Sequence, residues 1–573
     1  MENHRIAAVF DEIADILEIQ GENPFRVRSY RNAARTVGDM TERLEDLVAQ
    51  GKDLKSLPGI GGSLDAKIHD ILKTGTCPAL DDLRKQLPPH LTDLLGVKGI
   101  GAKKVKLLWE KLKITTLEEL KAAAEAGRIR DLPGMGAKTE ENILKGLQTL
   151  AAEAGRIGIQ EAADHVAAIG RHLAGIKAVR RWEAAGSFRR RRETIGDLDV
   201  LVLADDRAAA TAAILKYEPI RDVLSQGEEK ASVALAGGLQ VDFRFVDEEA
   251  FGAAMMYFTG SKAHNIVLRK LAQKEGCKLN EYGLFKGEDR RIAGRTEEEV
   301  YEKLGLKQGI PPELREDRGE IDAAAEGKLP KLIDLKDLRG DLHAHTKETD
   351  GANSIEEMVA AARAKGYEYL AITDHSKAVT IAHGMDESRL RAHADRIREV
   401  GSKLKGFRLL AGIEVDILKD GKLDLPQEAL AELDWVCASV HSAFTLDEAK
   451  MTERILAAVE SGVVHCLGHP LGRLIGQRDP IRFDADKVFA ACKERGVCLE
   501  INSYPDRLDL PDVYCKRAKE MGCTMTISTD SHRVIDLDLV EFGVWVARRG
   551  WLEKGDVLNT LGAAAMQRWL NTR

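Results

Sequence analysis

The stretch GSFRRRRETIGDLDVLVL, residues 186–203, decides how the chain is read. It ends in an apolar strand at 198–203, and two acids, Asp197 and Asp199, stand at its leading positions. Alternation along a strand puts those two carboxylates on one face. Ahead of them, Gly186-Ser187 forms a turn at which backbone N–H groups can approach a phosphate, and the arginines at 189–192 carry forks that bind phosphate oxygens. Paired carboxylates beside a phosphate cradle are what two-metal phosphoryl transfer requires. An isolated Asp-X-Asp is more often a solvated surface strand. The turn upstream and a third acid downstream favour the metal reading.

That third acid lies in LQVDFRFV, residues 239–246. Val241, Phe243 and Phe245 fall on one side of a strand, Asp242 and Arg244 on the other. An unpaired acid in a buried strand is costly, so Asp242 is read as joining Asp197 and Asp199 rather than as half of an exposed ion pair. Gly-Ser-aromatic-Arg-Arg, a short spacer, then Gly-Asp-apolar-Asp resembles the signature of the family X DNA polymerases, within the nucleotidyltransferase superfamily. One position departs: Arg191 stands where that family commonly has glycine, which bears on the local turn and the grip on a triphosphate but not on the acids. Tyr257-Phe258-Thr259-Gly260 followed by Asn265 and Arg269 resembles the same family, and the last two share a helix face. The resemblance implies that Asp197 and Asp199 bridge both Mg²⁺ or Mn²⁺ ions and that Asp242 holds the ion activating a primer 3′-hydroxyl. It implies that Gly186, Ser187, Arg190 and Gly196 bind the triphosphate. Tyr257 and Phe258, with Gly260, would flank the incoming sugar, Asn265 would touch the new base and Arg269 the template.

Composition bounds the rest. At 573 residues several domains are expected, and an apolar fraction of 44% suits soluble folding. No run approaches the length needed to span a bilayer. The start, MENHRIAAVFDEIADI, has acids and no continuous apolar core, so it does not read as a signal peptide; Ile6, Val9, Phe10, Ile13, Ile16 and Leu17 recur at helical spacing instead. Eight cysteines without a CxxC pair point to reduced thiols and a cytoplasmic protein. The net charge of −8 does not itself suggest nucleic acid, but net charge hides local patches.

Three segments of the first third share one design: LPGIGGSLDAKI (57–68), GVKGIGAKKVKLL (96–108) and LPGMGAKTEENI (132–143). In each, Gly-apolar-Gly opens a helical pattern: Gly59 and Gly61, Gly99 and Gly101, Gly134 and Gly136. A glycine turn opening a helix presents N–H groups to an anion. The three resemble helix-hairpin-helix motifs, which implies sequence-independent contact with DNA phosphates and a bound monovalent cation. Upstream, PFRVRSYRNAARTV (24–37) sets Arg26, Arg28, Arg31 and Arg35 around Tyr30, a pattern able to grip a phosphate and stack on a sugar or base. It resembles the DNA-end-binding part of the small lyase domain of DNA polymerase beta, an alignment that places Lys67 on the Schiff-base lysine.

In the last third an apolar run ending in polar residues recurs seven times, from GDLHAHT and YLAITDHS to VCLEINS and TMTISTDSH, with helical patterns between most of them. Seven buried strands alternating with helices predict a parallel barrel, with its chemistry at the C-terminal strand ends. There stand His343, His345, Asp350, His375, Glu414, His441, His469, Asp530 and His532. Imidazole plus carboxylate without thiolate suits Mn²⁺, Zn²⁺ or iron, and nine donors imply more than one ion. The set resembles the metal ligands of the PHP (polymerase and histidinol phosphatase) domain. His383 and His393 fall outside it, and surface or loop roles are expected for them.

The fold class expected is multidomain α+β and α/β. Residues 1–80 form a lyase-like helix-hairpin-helix domain, 81–153 a helix-hairpin-helix DNA-binding region, 154–248 a nucleotidyltransferase palm and 249–313 a fingers subdomain. Residues 314–337 form a charged linker and 338–573 a distorted (β/α)₇ PHP barrel. The function expected is filling of short gaps in DNA repair by a monomer acting on gapped or nicked DNA with deoxynucleoside triphosphates. Metal-dependent 3′-5′ exonuclease activity and AP-endonuclease activity are expected of the barrel. The alternative is a non-DNA nucleotidyltransferase fused to a PHP phosphoesterase, against which the three glycine hairpins argue.

Overall fold

The computed structural model describes residues 3–38, 44–49, 51–57, 59–97, 99–153, 155–287 and 290–572. The chain divides into two units, Met1–Ala154 and Gly155–Arg573.

The regular elements among the first unit's described residues are all helices. The helix Asn3–Gln20 buries Ile6, Phe10, Ile13 and Leu17, one stripe at helical spacing, against the helix Pro24–Gly38. The three glycine turns are built alike. Ile60 N donates to Leu57 O, Ile100 N to Val97 O and Met135 N to Leu132 O, at 2.9–3.1 Å, and the apolar residue between the glycines is buried each time. Gly59, Gly99 and Gly134 have φ of 77°, 91° and 75°, which only glycine adopts cheaply. Helices Gly62–Thr74, Ala102–Leu112 and Ala137–Glu153 follow.

In the second unit a five-stranded sheet carries the palm. Val179–Ala184 runs antiparallel to Asp197–Ala204, which runs parallel to Gln240–Phe245. Lys230–Leu235 and Ile220–Gln226 complete the sheet, both antiparallel to their neighbours. Leu198, Val200 and Val202 join Val241, Phe243 and Phe245 in the core on one face. The opposite face packs Leu201 and Leu203 on the helix Phe251–Thr259. A small three-stranded sheet, Cys277–Asn280, Gly283–Lys286 and Arg290–Ala293, lies beyond the helix Lys262–Lys274.

From residue 340 seven parallel strands follow in sequence order: Gly340–Asp341, Tyr369–Ile372, Arg408–Asp416, Trp435–Ser439, Cys466–Leu467, Cys498–Asn502 and Met525–Ser528. The sheet nearly closes: Ala344 bridges Ser531, and the Asn559 amide donates to Gly340 O at 2.8 Å and Ile527 O at 2.7 Å, joining first strand to last. The palm and barrel share one continuous hydrophobic cluster, with Phe188 of the palm meeting Trp545 of the barrel edge to face.

The stretch 314–337 is not a solvated linker. Arg315, 1% exposed, donates to Ile310 O and binds Glu297 at 2.6 Å, and Glu320 is buried against His264 at 2.7 Å. Arg318 reaches Asp512 of the barrel at 2.9 Å. Arg315 and Glu320 are thus held in buried pairs, as a buried charge must be, while the charges from Asp322 to Lys336 stay at the surface.

Candidate active sites

Sheet register gathers the palm acids. Asp197 and Asp199 share a face of their strand, and the parallel pairing sets Asp242 directly opposite Asp199. Asp197 is exposed, Asp199 half-buried and Asp242 buried. Arg244 bridges the pair, its Nε 3.1 Å from Asp199 Oδ1 and its Nη2 3.1 Å from Asp242 Oδ2. Lys230 Nζ adds 2.6 Å to Asp242 Oδ2, and Gln240 donates to Asp242 Oδ1 at 2.9 Å. Burial raises the Asp199 carboxyl against the pull of Arg244. Burial acts the same way on Asp242, but hydrogen bonds from Lys230 and Gln240 outweigh it and hold that group below its ordinary value. Two side-chain cations thus stand where this all-oxygen donor set would meet metal ions, so the residues fit divalent cations. Lys230 was not legible beforehand; the Asp242–Arg244 pair, weighed in the sequence and set aside, forms in the structure on a buried acid and extends to Asp199.

Gly186 sits against this cluster at φ 63°, and a Cβ there would fall 2.9 Å from Asp199 Oδ2. Ser187 lies in the same short helix, Gly186–Arg189. Gly196 precedes Asp197, and a Cβ on it would lie 3.0 Å from the Arg156 guanidinium. The arginine run is not an open phosphate cradle. Arg189 forks onto Glu297 at 2.9 and 2.7 Å and donates to Thr259 Oγ1 at 2.8 Å. Arg190 binds Glu316 at 3.2 Å and the Thr259 carbonyl. Arg191 stacks on Trp545, and Arg192 is 3.9 Å from Glu316. Guanidinium groups this close to a core are held by partners, so Arg190 reaches a phosphate only by exchanging Glu316 for it. Burial opposes ionisation of Glu297, yet Arg315 and Arg189 bring it down to about 2.

Tyr257 and Phe258 meet edge to face at 5.1 Å, and the Arg244 guanidinium lies 4.2 Å over Phe258. Asn265 donates to Tyr257 O at 2.7 Å, and Arg269 Nε reaches Asn265 O at 3.4 Å. Tyr257, Asn265 and Arg269 line one shallow depression with Leu279 and Asn280. Gly260, at φ 67°, ends the helix Phe251–Thr259.

All nine barrel donors converge at the C-terminal strand ends, in overlapping groups. His345, Asp350, His375 and His532 form one, His343, His345 and Asp530 a second, and His375, Glu414 and His441 a third, ligand atoms within 4.8 Å in each. Glu414 is central, 2.9 Å from His375 Nδ1 and His469 Nε2, 3.3 Å from His441 Nε2 and 3.5 Å from His343 Nε2. Buried His343 Nε2, His345 Nε2 and Glu414 Oε2 make close contacts but no well-aligned hydrogen bond, and buried His469 Nδ1 makes none. Orphaned nitrogen and oxygen donors aimed at one another fit metal ions. Sequence reasoning missed Glu500, whose Oε1 accepts a hydrogen bond from His343 Nδ1 at 2.7 Å and so turns Nε2 toward the cluster. It also misplaced His393, which is buried and bonded to Asp374 at 2.8 Å rather than at the surface; Asp374 in turn holds Thr346 and Thr349.

Protons compensate the acids of this cluster. For His532 burial favours the neutral ring, but Asp350 and Asp530 lift it from 6.5 to about 9. Its contribution to metal-free stability is complete below pH 6.5 and is lost as pH rises through about 9. Metal uptake must displace that proton, so affinity rises with pH, by about tenfold per unit for each proton displaced. Titration calorimetry with Mn²⁺ at pH 6.5 and 8.5 checks this, and affinity independent of pH would refute it.

In the first unit Lys67 Nζ donates to Ser63 Oγ at 2.8 Å and lies 6.0 Å from the Tyr30 ring. Tyr30 is only 8% exposed and packs near Phe10, so it cannot stack on a base. Phe25, 75% exposed with Arg28 at 4.7 Å over its ring, is the available aromatic. Arg26 is exposed beside Glu22, and Arg31 is spent on Asp11, Asp15 and Glu18. Gly61 and Gly101 have φ of −87° and −109°, open to any residue, and a Cβ on Gly61, Gly101 or Gly136 would meet nothing within 4 Å. Among the described residues of the unit, nothing requires these three to be glycine. What their missing side chains leave clear is approach from outside.

Palm acids on a parallel strand pair and a nine-donor barrel define a two-centre, metal-dependent phosphoryl-transfer enzyme. Residues 254–316 match the DNA polymerase beta thumb, 341–504 the PHP domain, 1–77 a helix-hairpin-helix domain and 91–149 a SAM-like helix-hairpin-helix tandem. The chain is 37% identical over 562 residues to the DNA polymerase/3′-5′ exonuclease PolX of Bacillus subtilis (strain 168), covering 98% of this chain and 97% of that one, and it belongs to the PolX family. A probable phosphatase of Thermoanaerobacter sp. (strain X514) is 32% identical over 232 residues, 38% of this chain and 89% of its own. The solved ternary complex of Leishmania infantum polymerase beta is 23% identical, covers 39% of this chain and 96% of that one, and has a TM-score of 0.27.

Proposed function

We propose that this chain fills short gaps in DNA from its palm and removes nucleotides from 3′ ends in its barrel. The observation that carries this is the register that sets Asp242 opposite Asp199 beside Gly186. Asp197, Asp199 and Asp242 would hold Mg²⁺ or Mn²⁺, which supplies Lewis-acid charge for in-line displacement at a phosphate. Asp242, kept ionised, orients the attacking 3′-hydroxyl. Arg244 and Lys230, which now bind these carboxylates, would release them to a bound divalent cation. Tyr257 and Phe258 bound the sugar of the deoxynucleoside triphosphate, and Arg189 ties the thumb region to the palm through Glu297. The barrel donors suit Mn²⁺ or Zn²⁺, being imidazole and carboxylate.

In the first unit the open second glycines admit backbone phosphates of gapped or nicked DNA, with a monovalent cation at the turns, and Arg26, Arg28 and Phe25 meet a 5′-phosphate end. No described helix is long and apolar enough to cross a membrane, and all eight cysteines are free thiols, which supports a cytoplasmic setting. For a lyase step Lys67 is the nucleophile: borohydride trapping on an abasic end is expected to drop at least about tenfold in Lys67→Ala, and undiminished trapping removes Lys67 from the chemistry.

The deciding experiment extends a primer across a one-nucleotide gap and degrades a labelled 3′ tail side by side, with Mg²⁺, Mn²⁺ and Zn²⁺. One added nucleotide and released mononucleotides are expected. No incorporation would favour a transferase acting on another acceptor. Release of inorganic phosphate alone would make the barrel a phosphatase.

A further inference from the structure

The palm's phosphate turn is held from behind by the barrel, and Arg191 is where the two meet. Arg191 has φ 58°, a left-handed conformation that strains every residue but glycine. Its guanidinium lies 3.8 Å from the Trp545 ring centroid and 5.4 Å from Phe188. Trp545 belongs to the barrel helix Val540–Arg549 and is braced edge to face by Phe542 at 5.0 Å. One turn on, Arg549 Nη1 donates to Arg190 O at 2.6 Å and to Glu316 at 3.2 Å, and its Nη2 to Asp512 at 2.6 Å. Arg473, also of the barrel, grips Glu193 at 2.7 Å. The turn from 190 to 193 is therefore bound by three barrel side chains, among them a half-buried cation–π contact to Arg191.

We infer that Arg191 and Trp545 form a pin that presets the Gly186–Arg190 turn, which makes them positioning residues for nucleotide addition. The inference rests on the polymerase reading of the palm. Neither side chain lies among the barrel's metal donors, so 3′-end degradation is independent of the pin.

The test uses full-length Arg191→Gly, Trp545→Leu and the double variant. The first suits a left-handed backbone and so guards against misfolding of the second. Each single variant is expected to raise KM for the deoxynucleoside triphosphate about fivefold, with kcat and the exonuclease rate within about twofold. The double variant is expected to be no worse than the more affected single variant. Hydrogen exchange of amides 187–192 in the unliganded chain should quicken in all three. Unchanged KM with unchanged exchange, additive effects, or an equal fall in both activities would overturn the pin. If the unsubstituted chain fails to extend a gapped primer, the polymerase reading fails instead, and the exchange measurement still decides the pin.

Discussion

Asp199→Asn is expected to reduce gap filling by about a thousandfold while 3′-end degradation stays within about twofold. Asparagine keeps the shape and removes the charge. Asp199 already resists ionisation through burial, so neutralising it does little harm to the fold. Arg244 and Lys230 keep Asp242 as a partner. What disappears is half of the in-register carboxylate pair that draws cations to the triphosphate, and no neighbouring acid replaces it, because Gln240 occupies the position opposite Asp197. Steady-state incorporation on a one-nucleotide gap checks this, with melting temperature as the control. Residual synthesis above about a tenth of the unsubstituted rate would remove Asp199 from the site.

Glu414→Gln is expected to do the reverse. Its carboxylate touches His343, His345, His375, His441 and His469, between 2.9 and 3.7 Å, so one side chain serves all parts of the cluster. Glutamine is isosteric but cannot carry the charge that balances two cations. Exonuclease activity should fall about a thousandfold and at least one equivalent of bound metal should be lost, as measured by elemental analysis, while gap filling persists. Full metal content with normal degradation would show that the barrel chemistry lies elsewhere.

Both sites were legible in outline because regular periods carry them. Two-residue alternation placed Asp197, Asp199 and Asp242 on strand faces, and strand-end repetition placed the nine barrel donors. Pairing partners were not legible. The arginines at 189–192 read as an open phosphate grip and 314–337 as a charged linker, because composition does not distinguish a paired charge from a free one; in the structure the arginines and Glu316 pair with one another and with Glu297 and Trp545, and Arg318 pairs with Asp512. Glu500 was missed although it obeys the rule that exposed Asp242, an acid set inside an apolar strand. Tyr30, read as the stacking aromatic, is buried, and Phe25, given no role in the sequence, is exposed, because helix phase, not proximity to arginines, decides which aromatic faces solvent.

The uninterrupted core running from palm to barrel has a consequence for how this protein changes over time. Phe188 and Trp545 belong to one apolar body, so the two catalytic halves cannot drift apart as independent modules do. A substitution on the barrel surface at Trp545 is therefore felt in the palm, by the half that builds DNA, although the side chain belongs to the half that removes it. Natural selection on DNA synthesis therefore reaches positions that lie in the barrel.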